Sequence, residues 1–181
     1  MGSVVMPAKR WWTRILWCML VLFLCTSCIG EEDFDTEEVV KVGHRLPDFT
    51  VTMNDGRVVT GDSLRKVVSV VMFFHTSCPD CQQALPRVQR LYDKYASEDI
   101  AFVLISREEE AASVAPFWEA NGLALSYSPQ PDRRVYELFA YRRVPRIYFS
   151  NRQGVVKHIF TDDPVPTFDE LEEALQRVLA E

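Results

Sequence analysis

Two cysteines three residues apart, Cys78 and Cys81, are the side chains of this sequence best suited to chemistry. They stand in the run Phe73-Phe74-His75-Thr76-Ser77-Cys78-Pro79-Asp80-Cys81, directly after an apolar stretch from Val67 to Phe74. On a helix, the i, i+3 spacing puts both sulfurs on one face, close enough to bond to each other. A cysteine at a helix N-terminus meets unpaired N–H groups and the positive end of the dipole, which favour a thiolate. A thiolate is the nucleophile of thiol–disulfide exchange. Pro79 suits the first helical position, where its missing N–H costs nothing. Asp80 puts a negative charge beside Cys78, which disfavours a second one there.

The remaining cysteines, 18, 25 and 28, lie near the start of the chain. Lys9, Arg10 and Arg14 precede an apolar run from Ile15 to Cys25, followed by Thr26, Ser27 and Cys28. Basic region, short apolar core and small residues are the layout of a secretory leader. The run is shorter than the ~20 residues a membrane helix needs, although Trp11, Trp12 and Trp17 extend it toward an uncleaved anchor. Leu24-Cys25-Thr26-Ser27-Cys28 resembles a bacterial lipobox, with Cys28 as the lipid acceptor. The alternative is ordinary cleavage, with Cys25 and Cys28 lost. Ile29-Gly30-Glu31-Glu32-Asp33 resembles the acidic surface-export signal of Bacteroidetes lipoproteins. The expected organisation is a leader over 1–27, an acidic tether over 28–42 and one domain over 43–181.

A chain that starts at Cys28 and carries lipid on it keeps only Cys78 and Cys81 as thiols. Their disulfide would close a very short loop and add little by chain entropy, so chemistry explains the pair better than stapling. Three of the 20 basic residues and none of the 26 acidic ones precede residue 28, which leaves a formal charge of −9. Such a balance argues against nucleic acid as a partner.

The elements that must position the pair can be read from periodicity. Phe49 to Met53 and Arg57 to Thr60, joined through Asn54-Asp55-Gly56, predict a β-hairpin. Val67 to Phe74 predicts a central strand covered on both faces. Leu85, Val88, Leu91, Tyr92 and Tyr95 have a helical period, with Pro86 as a kink. Ile100 to Ile105 predicts a second buried strand. Ser106 and Glu109 have capping-box spacing, which predicts a helix start there. That helix carries Val114, Phe117 and Trp118, with Pro116 inside it, and ends at Asn121-Gly122. A loop over 128–132 leads to a short helix around Val135 to Phe139. Arg146 to Phe149 and Val155 to Phe160 predict strands about the turn 151–154. Thr167 and Glu170 open a last helix with Phe168, Leu171, Leu175, Val178 and Leu179 on one face. The order is that of an α/β domain.

These segments together resemble the thioredoxin superfamily, and within it the TlpA/ResA-like thiol–disulfide oxidoreductases. The resemblance is carried by Leu46-Pro47-Asp48-Phe49 with Asp55-Gly56, by Phe73 through Cys81 with Leu85-Pro86, by Val144-Pro145 before a strand, and by Gln153-Gly154 with the last helix. It implies a thioredoxin-like fold: a central mixed β-sheet flanked by helices, with an N-terminal β-hairpin extension. It implies Cys78 as the attacking and Cys81 as the resolving cysteine, a redox-active Cys78–Cys81 disulfide, and Pro145 as a cis-proline after Val144 beside the sulfurs. It implies no cofactor and no metal. Its expected partners are disulfide-containing protein substrates and a membrane electron donor, and its expected location is the cell envelope. With lipid on Cys28, a monomer anchored in the outer membrane and facing periplasm or cell surface is expected.

The chain departs from the family at three positions. Ser77 stands where Trp is usual. Met72 and Ala84 stand at the positions where family members carry a buried Asp or Glu that relays a proton. His75 and Asp80 are the nearby titratable groups. The competing readings are a thiol peroxidase of peroxiredoxin type, a copper or zinc carrier using Cys78, Cys81 and His75, and an inactive interaction domain. Peroxiredoxins place Thr three residues before the reactive cysteine, where this chain has His75.

Overall fold

The computed structural model describes residues 38–95 and 98–181. The leader over 1–27, Cys18, Cys25, Cys28 and the first ten residues of the tether lie outside these residues.

The hydrophobic run that ends at the cysteine pair forms the middle of the sheet. Strand β3 (Val68–Phe74) is buried along its whole length. It pairs parallel with β4 (Ile100–Ser106) on one side and antiparallel with β6 (Arg146–Ser150) on the other. Strand β5 (Tyr127–Ser128) adds parallel to β4, and β7 (Val156–Phe160) adds antiparallel to β6. The sheet is mixed, in the order β5-β4-β3-β6-β7. A central strand with continuous Val, Met and Phe is what burial on both faces requires. Phe73 packs its ring on Tyr136, Phe139 and Tyr148, while Phe74 meets Trp118 with ring centroids 5.0 Å apart. Trp118 is core, its indole N–H donating to the Leu125 carbonyl at 2.7 Å.

Helices flank this sheet. In chain order they are α1 (Gly61–Leu64), α2 (Pro79–Tyr95), α3 (Ala111–Ala120), α4 (Arg134–Glu137) and α5 (Phe168–Leu179). Helix α2 buries Cys81, Ala84, Leu85, Val88 and Leu91, one stripe at helical spacing. Helix α5 opens on the expected box: the Glu170 N–H donates to Thr167 Oγ1 at 3.3 Å and the Thr167 N–H to Glu170 Oε2 at 2.8 Å. It packs against α2, where the Tyr95 hydroxyl donates to Glu172 at 2.8 Å. No helix among the described residues is long and apolar enough to cross a membrane.

Strands β1 (Thr50–Thr52) and β2 (Val58–Thr60) form the N-terminal hairpin as a separate antiparallel sheet. Asp55 at its turn accepts from the Arg57 N–H at 3.0 Å, from Arg57 Nε at 2.8 Å and from Ser126 Oγ at 2.6 Å. The Arg57 and Ser126 hydrogen bonds hold its carboxyl well below the usual range. A carboxyl whose folded pKa is depressed contributes stability that is present above its unfolded pKa and is lost as pH falls towards the folded one. Asp55→Asn should therefore lower the urea midpoint at pH 7, modestly because the pair is partly exposed. The gap to the parent should narrow below about pH 4. Urea melts at pH 7 and pH 3 check this.

Several boundaries differ from expectation. Among the described residues, pairing with the domain already includes Glu38, ahead of residue 43. The N–H groups of Val39 and Val40 donate to the Phe139 carbonyl at 3.0 Å, and Val40 is buried. Residues 43–46 then pair along 154–156. The final residues of the segment read as a solvated tether are thus a strap on the domain, because Val40 joins the core and Glu38 pairs with Arg146. Gly154, in this pairing, makes room for Arg65: its φ is +69°, and a Cβ there would sit 2.4 Å from Cγ of Arg65. Strand β5 and helix α1 are too short to give a periodic signal.

The helix start expected at Ser106 and Glu109 is also corrected. The Ser106 hydroxyl donates to the Glu109 carbonyl at 3.0 Å, and α3 starts at Ala111 behind Glu110. Glu109 does not close a box, because its side chain turns into the protein.

Candidate active site

The cysteine pair sits where β3 and β4 end and β6 begins. The Cys78 N–H donates to the His75 carbonyl at 3.1 Å, and the Cys78 carbonyl accepts from the Gln82 N–H at 3.0 Å. Cys78 thus stands at the mouth of α2, with Pro79 as its first residue. Both cysteines are free thiols, Cys78 half-buried and Cys81 buried. Burial pushes the Cys81 thiol far above the usual range, and the His75 backbone N–H only partly opposes this. Cys81 therefore stays protonated at neutral pH, and Cys78 is the sulfur that can meet solvent.

The loop before β6 faces Cys78 across the site. The Val144–Pro145 bond is cis. The Cys78 thiol donates to the Val144 carbonyl at 3.3 Å. Val144 and Pro145 are buried, while Tyr141, Arg142 and Arg143 before them are exposed. The Tyr136 hydroxyl donates to the Arg142 carbonyl at 2.5 Å, and Arg146 Nε to the same carbonyl at 2.9 Å. The buried Arg146 is in turn paired with Glu38 of the strap at 2.5 Å. Asp80 lies in the first turn of α2, where it accepts weakly from Gln83 at 3.4 Å.

Met72 and Ala84 are both buried and apolar, so no acid stands at either position. A buried carboxyl is nevertheless beside the pair. Glu109, its side chain 5 % exposed, accepts from the Thr76 N–H at 2.8 Å and from the Thr76 hydroxyl. Its Oε1 is 3.6 Å from Nδ1 of His75. That nitrogen accepts from the Ser77 N–H at 3.2 Å and shares a hydrogen bond with Ser77 Oγ at 2.9 Å. The sequence reading missed Glu109 because capping-box spacing gave the residue another use. The usable signal was three glutamates, 108–110, directly after a buried strand.

The residues proposed from sequence divide accordingly. Cys78, Cys81, Pro79, Val144, Pro145 and His75 meet at one end of the sheet, with Asp80 on the helix rim. Among the described residues no group of three or more His, Cys, Asp or Glu side chains is arranged to hold a metal ion. His44 is exposed and His158 lies on β7. The Thr76 hydroxyl is bonded to Glu109 rather than turned to Cys78.

The model of the AhpC/TSA family matches residues 42–159. The chain belongs to the AhpC/TSA family. It is a thioredoxin-like member of that family, and its relatives include proteins named as thiol–disulfide oxidoreductases. It is 21% identical over 170 residues to thiol-disulfide oxidoreductase ResA of Bacillus thuringiensis, covering 91% of this chain and 96% of that protein. In fold it is similar to a Bacteroides thetaiotaomicron protein named as a protein disulfide isomerase. That match has a TM-score of 0.73 and 24% identity, covering 81% of this chain and 94% of the other. It is also similar to a thiol:disulfide interchange protein of Chlorobium tepidum, with a TM-score of 0.66 and 19% identity over 77% of this chain and 98% of the other. The family matched extends over the cysteine pair and the loop opposite it, but not over Glu38.

Proposed function

We propose that this thiol–disulfide oxidoreductase acts outside the cytoplasm and reduces protein disulfides through Cys78 and Cys81. One juxtaposition carries the reading: a solvent-reachable Cys78 at a helix start, faced by the Val144 carbonyl, with Cys81 buried behind it on the same helix. Cys78 as thiolate attacks a substrate disulfide, which gives a mixed disulfide and one released thiolate. Cys81 loses its proton and attacks the Cys78 sulfur. The second substrate thiolate leaves, takes up a proton, and the Cys78–Cys81 disulfide remains. The protein loses two electrons and the substrate gains them. A membrane electron donor then returns the pair to the dithiol.

The role of the 142–145 loop follows from its position. An extended substrate segment beside Val144 and Pro145 can pair with the loop backbone while its disulfide meets Cys78. The leader and Cys28 support an envelope location with a lipid anchor in the outer membrane. The segment between Cys28 and the strap at Glu38 serves as the tether.

Asp80 bears on direction. In the strong oxidant DsbA the inner dipeptide is Pro-His, and its thiolate is unusually stabilised; a carboxylate in place of the imidazole opposes that stabilisation. The potential of the pair, measured by equilibration with glutathione, should therefore be more negative than the ~−120 mV of DsbA. The dithiol form should also reduce insulin disulfides. A potential at or above the DsbA value, or inert insulin, would contradict the reductase reading.

A further inference from the structure

Glu109 is a buried carboxyl that the exchange cycle above leaves unused. The chain is shaped to aim it inward. Glu108 before it has φ +61°, a left-handed conformation that side chains other than Gly, Asn and Asp rarely take. Such an outlier is held by its surroundings: Arg133 pairs with Glu108 at 2.9 Å, the Glu109 N–H donates to the Gln130 carbonyl at 2.8 Å, and Ser106 holds the Glu109 carbonyl. The carboxylate then grips Thr76, two residues before Cys78, by backbone and side chain together.

The proton on His75 Nδ1 decides which of the surrounding atoms it can bond. Without a proton it accepts from the Ser77 N–H at 3.2 Å. With a proton it has no lone pair for that N–H and becomes a donor, to Ser77 Oγ at 2.9 Å or towards Glu109 Oε1 at 3.6 Å. Ser77 immediately precedes Cys78, so losing the backbone bond loosens the residue that leads into the attacking sulfur.

We propose that Glu109 is a positioning residue of the dithiol turn and that, with His75, it makes the placement of Ser77 and Cys78 depend on the proton at Nδ1. Its catalytic consequence rests on the exchange reading given above. The charged and titratable groups around the turn are few. Glu109 comes from the loop after β4. Cys78 and Cys81 come from the start of α2, Cys81 facing the His75 backbone N–H. Arg107, just after β4, acts electrostatically on Cys81. Asp80 interacts along α2 with Gln83.

The test is the alkylation rate of Cys78 by iodoacetamide between pH 5 and 9, read by mass spectrometry on the reduced full chain. His75→Asn keeps an oxygen able to accept from Ser77 but cannot be protonated. Glu109→Gln keeps an acceptor for the Thr76 N–H but carries no charge to receive an imidazolium. The parent should show, besides the rise with pH common to thiols, a second step of about fivefold, the worth of one hydrogen bond. Both variants should lack that step. A parent curve with a single titration, or variant curves that superimpose on a stepped parent, would overturn the proposal. If the Glu109 variant does not fold, the His75 variant at its half-exposed position decides the question. Alkylation needs no disulfide substrate, so a protein that leaves insulin intact sinks the exchange reading without touching this one.

Discussion

Replacing Cys81 by serine leaves Cys78 covalently joined to its substrates. Cys78 still attacks and forms the mixed disulfide, because its solvent access and its contact with the Val144 carbonyl do not involve residue 81. The next step needs a thiolate at position 81. A serine hydroxyl does not ionise in this range, so the adduct persists. Turnover should fall on the order of a thousandfold or more, as when a nucleophile is deleted elsewhere. The adducts should be released by dithiothreitol and should vanish in a Cys78→Ser, Cys81→Ser double variant. Non-reducing gels and mass spectrometry of the trapped partners give the result. Adducts on a different cysteine, or none at all beside normal turnover, would remove Cys78 from the mechanism. The burial that raises the Cys81 thiol also explains the order of events. A protonated, enclosed thiol does not compete for external disulfides, but it lies on the same helix face as the Cys78 bond that it must break.

The second large effect lies outside the cysteine turn. Glu38→Ala should cost about 2 kcal/mol of stability, the worth of one hydrogen bond between charged groups. Arg146 is 1 % exposed, and its guanidinium is 2.5 Å from Glu38 Oε1. Its bond to the Arg142 carbonyl remains. For a domain of this size the melting temperature should drop by about 6 °C. Glu38→Leu combined with Arg146→Met should lose less, since an apolar pair of similar volume needs no ion pair in the interior. Thermal melts by circular dichroism separate the cases. An alanine variant that melts within a degree or two of the parent would mean that Glu38 is not the countercharge of Arg146.

Much of this architecture could be read along the chain. Val67 to Phe74 announced the central strand by continuous burial-grade residues. The stripe Leu85, Val88 and Leu91 announced α2, and Thr167 with Glu170 announced the start of α5. Other features were locally silent. Two residues of β5 and four of α1 cannot complete a period. Ser106 and Glu109 carried a local signal that the structure overrides, because the Glu109 side chain gains more from the Thr76 N–H and hydroxyl than from the N-terminus of a short helix.

Sequence alone determined the cysteine pair, its position after a buried strand and at a helix start, and the Val-Pro step further on. Each depends on neighbours within a few residues, so period and spacing suffice. Tertiary structure alone decided what surrounds the sulfurs. Val144 reaches Cys78 across 66 residues, Glu109 reaches Thr76 across 33, and Glu38 reaches Arg146 across 108. Such contacts exist only once the sheet order sets β4 and β6 on either side of β3 and the strap closes over the 139–140 turn. No local pattern encodes them, because a carboxyl carries the same signature whether it caps a helix, meets solvent or lies buried against a dithiol.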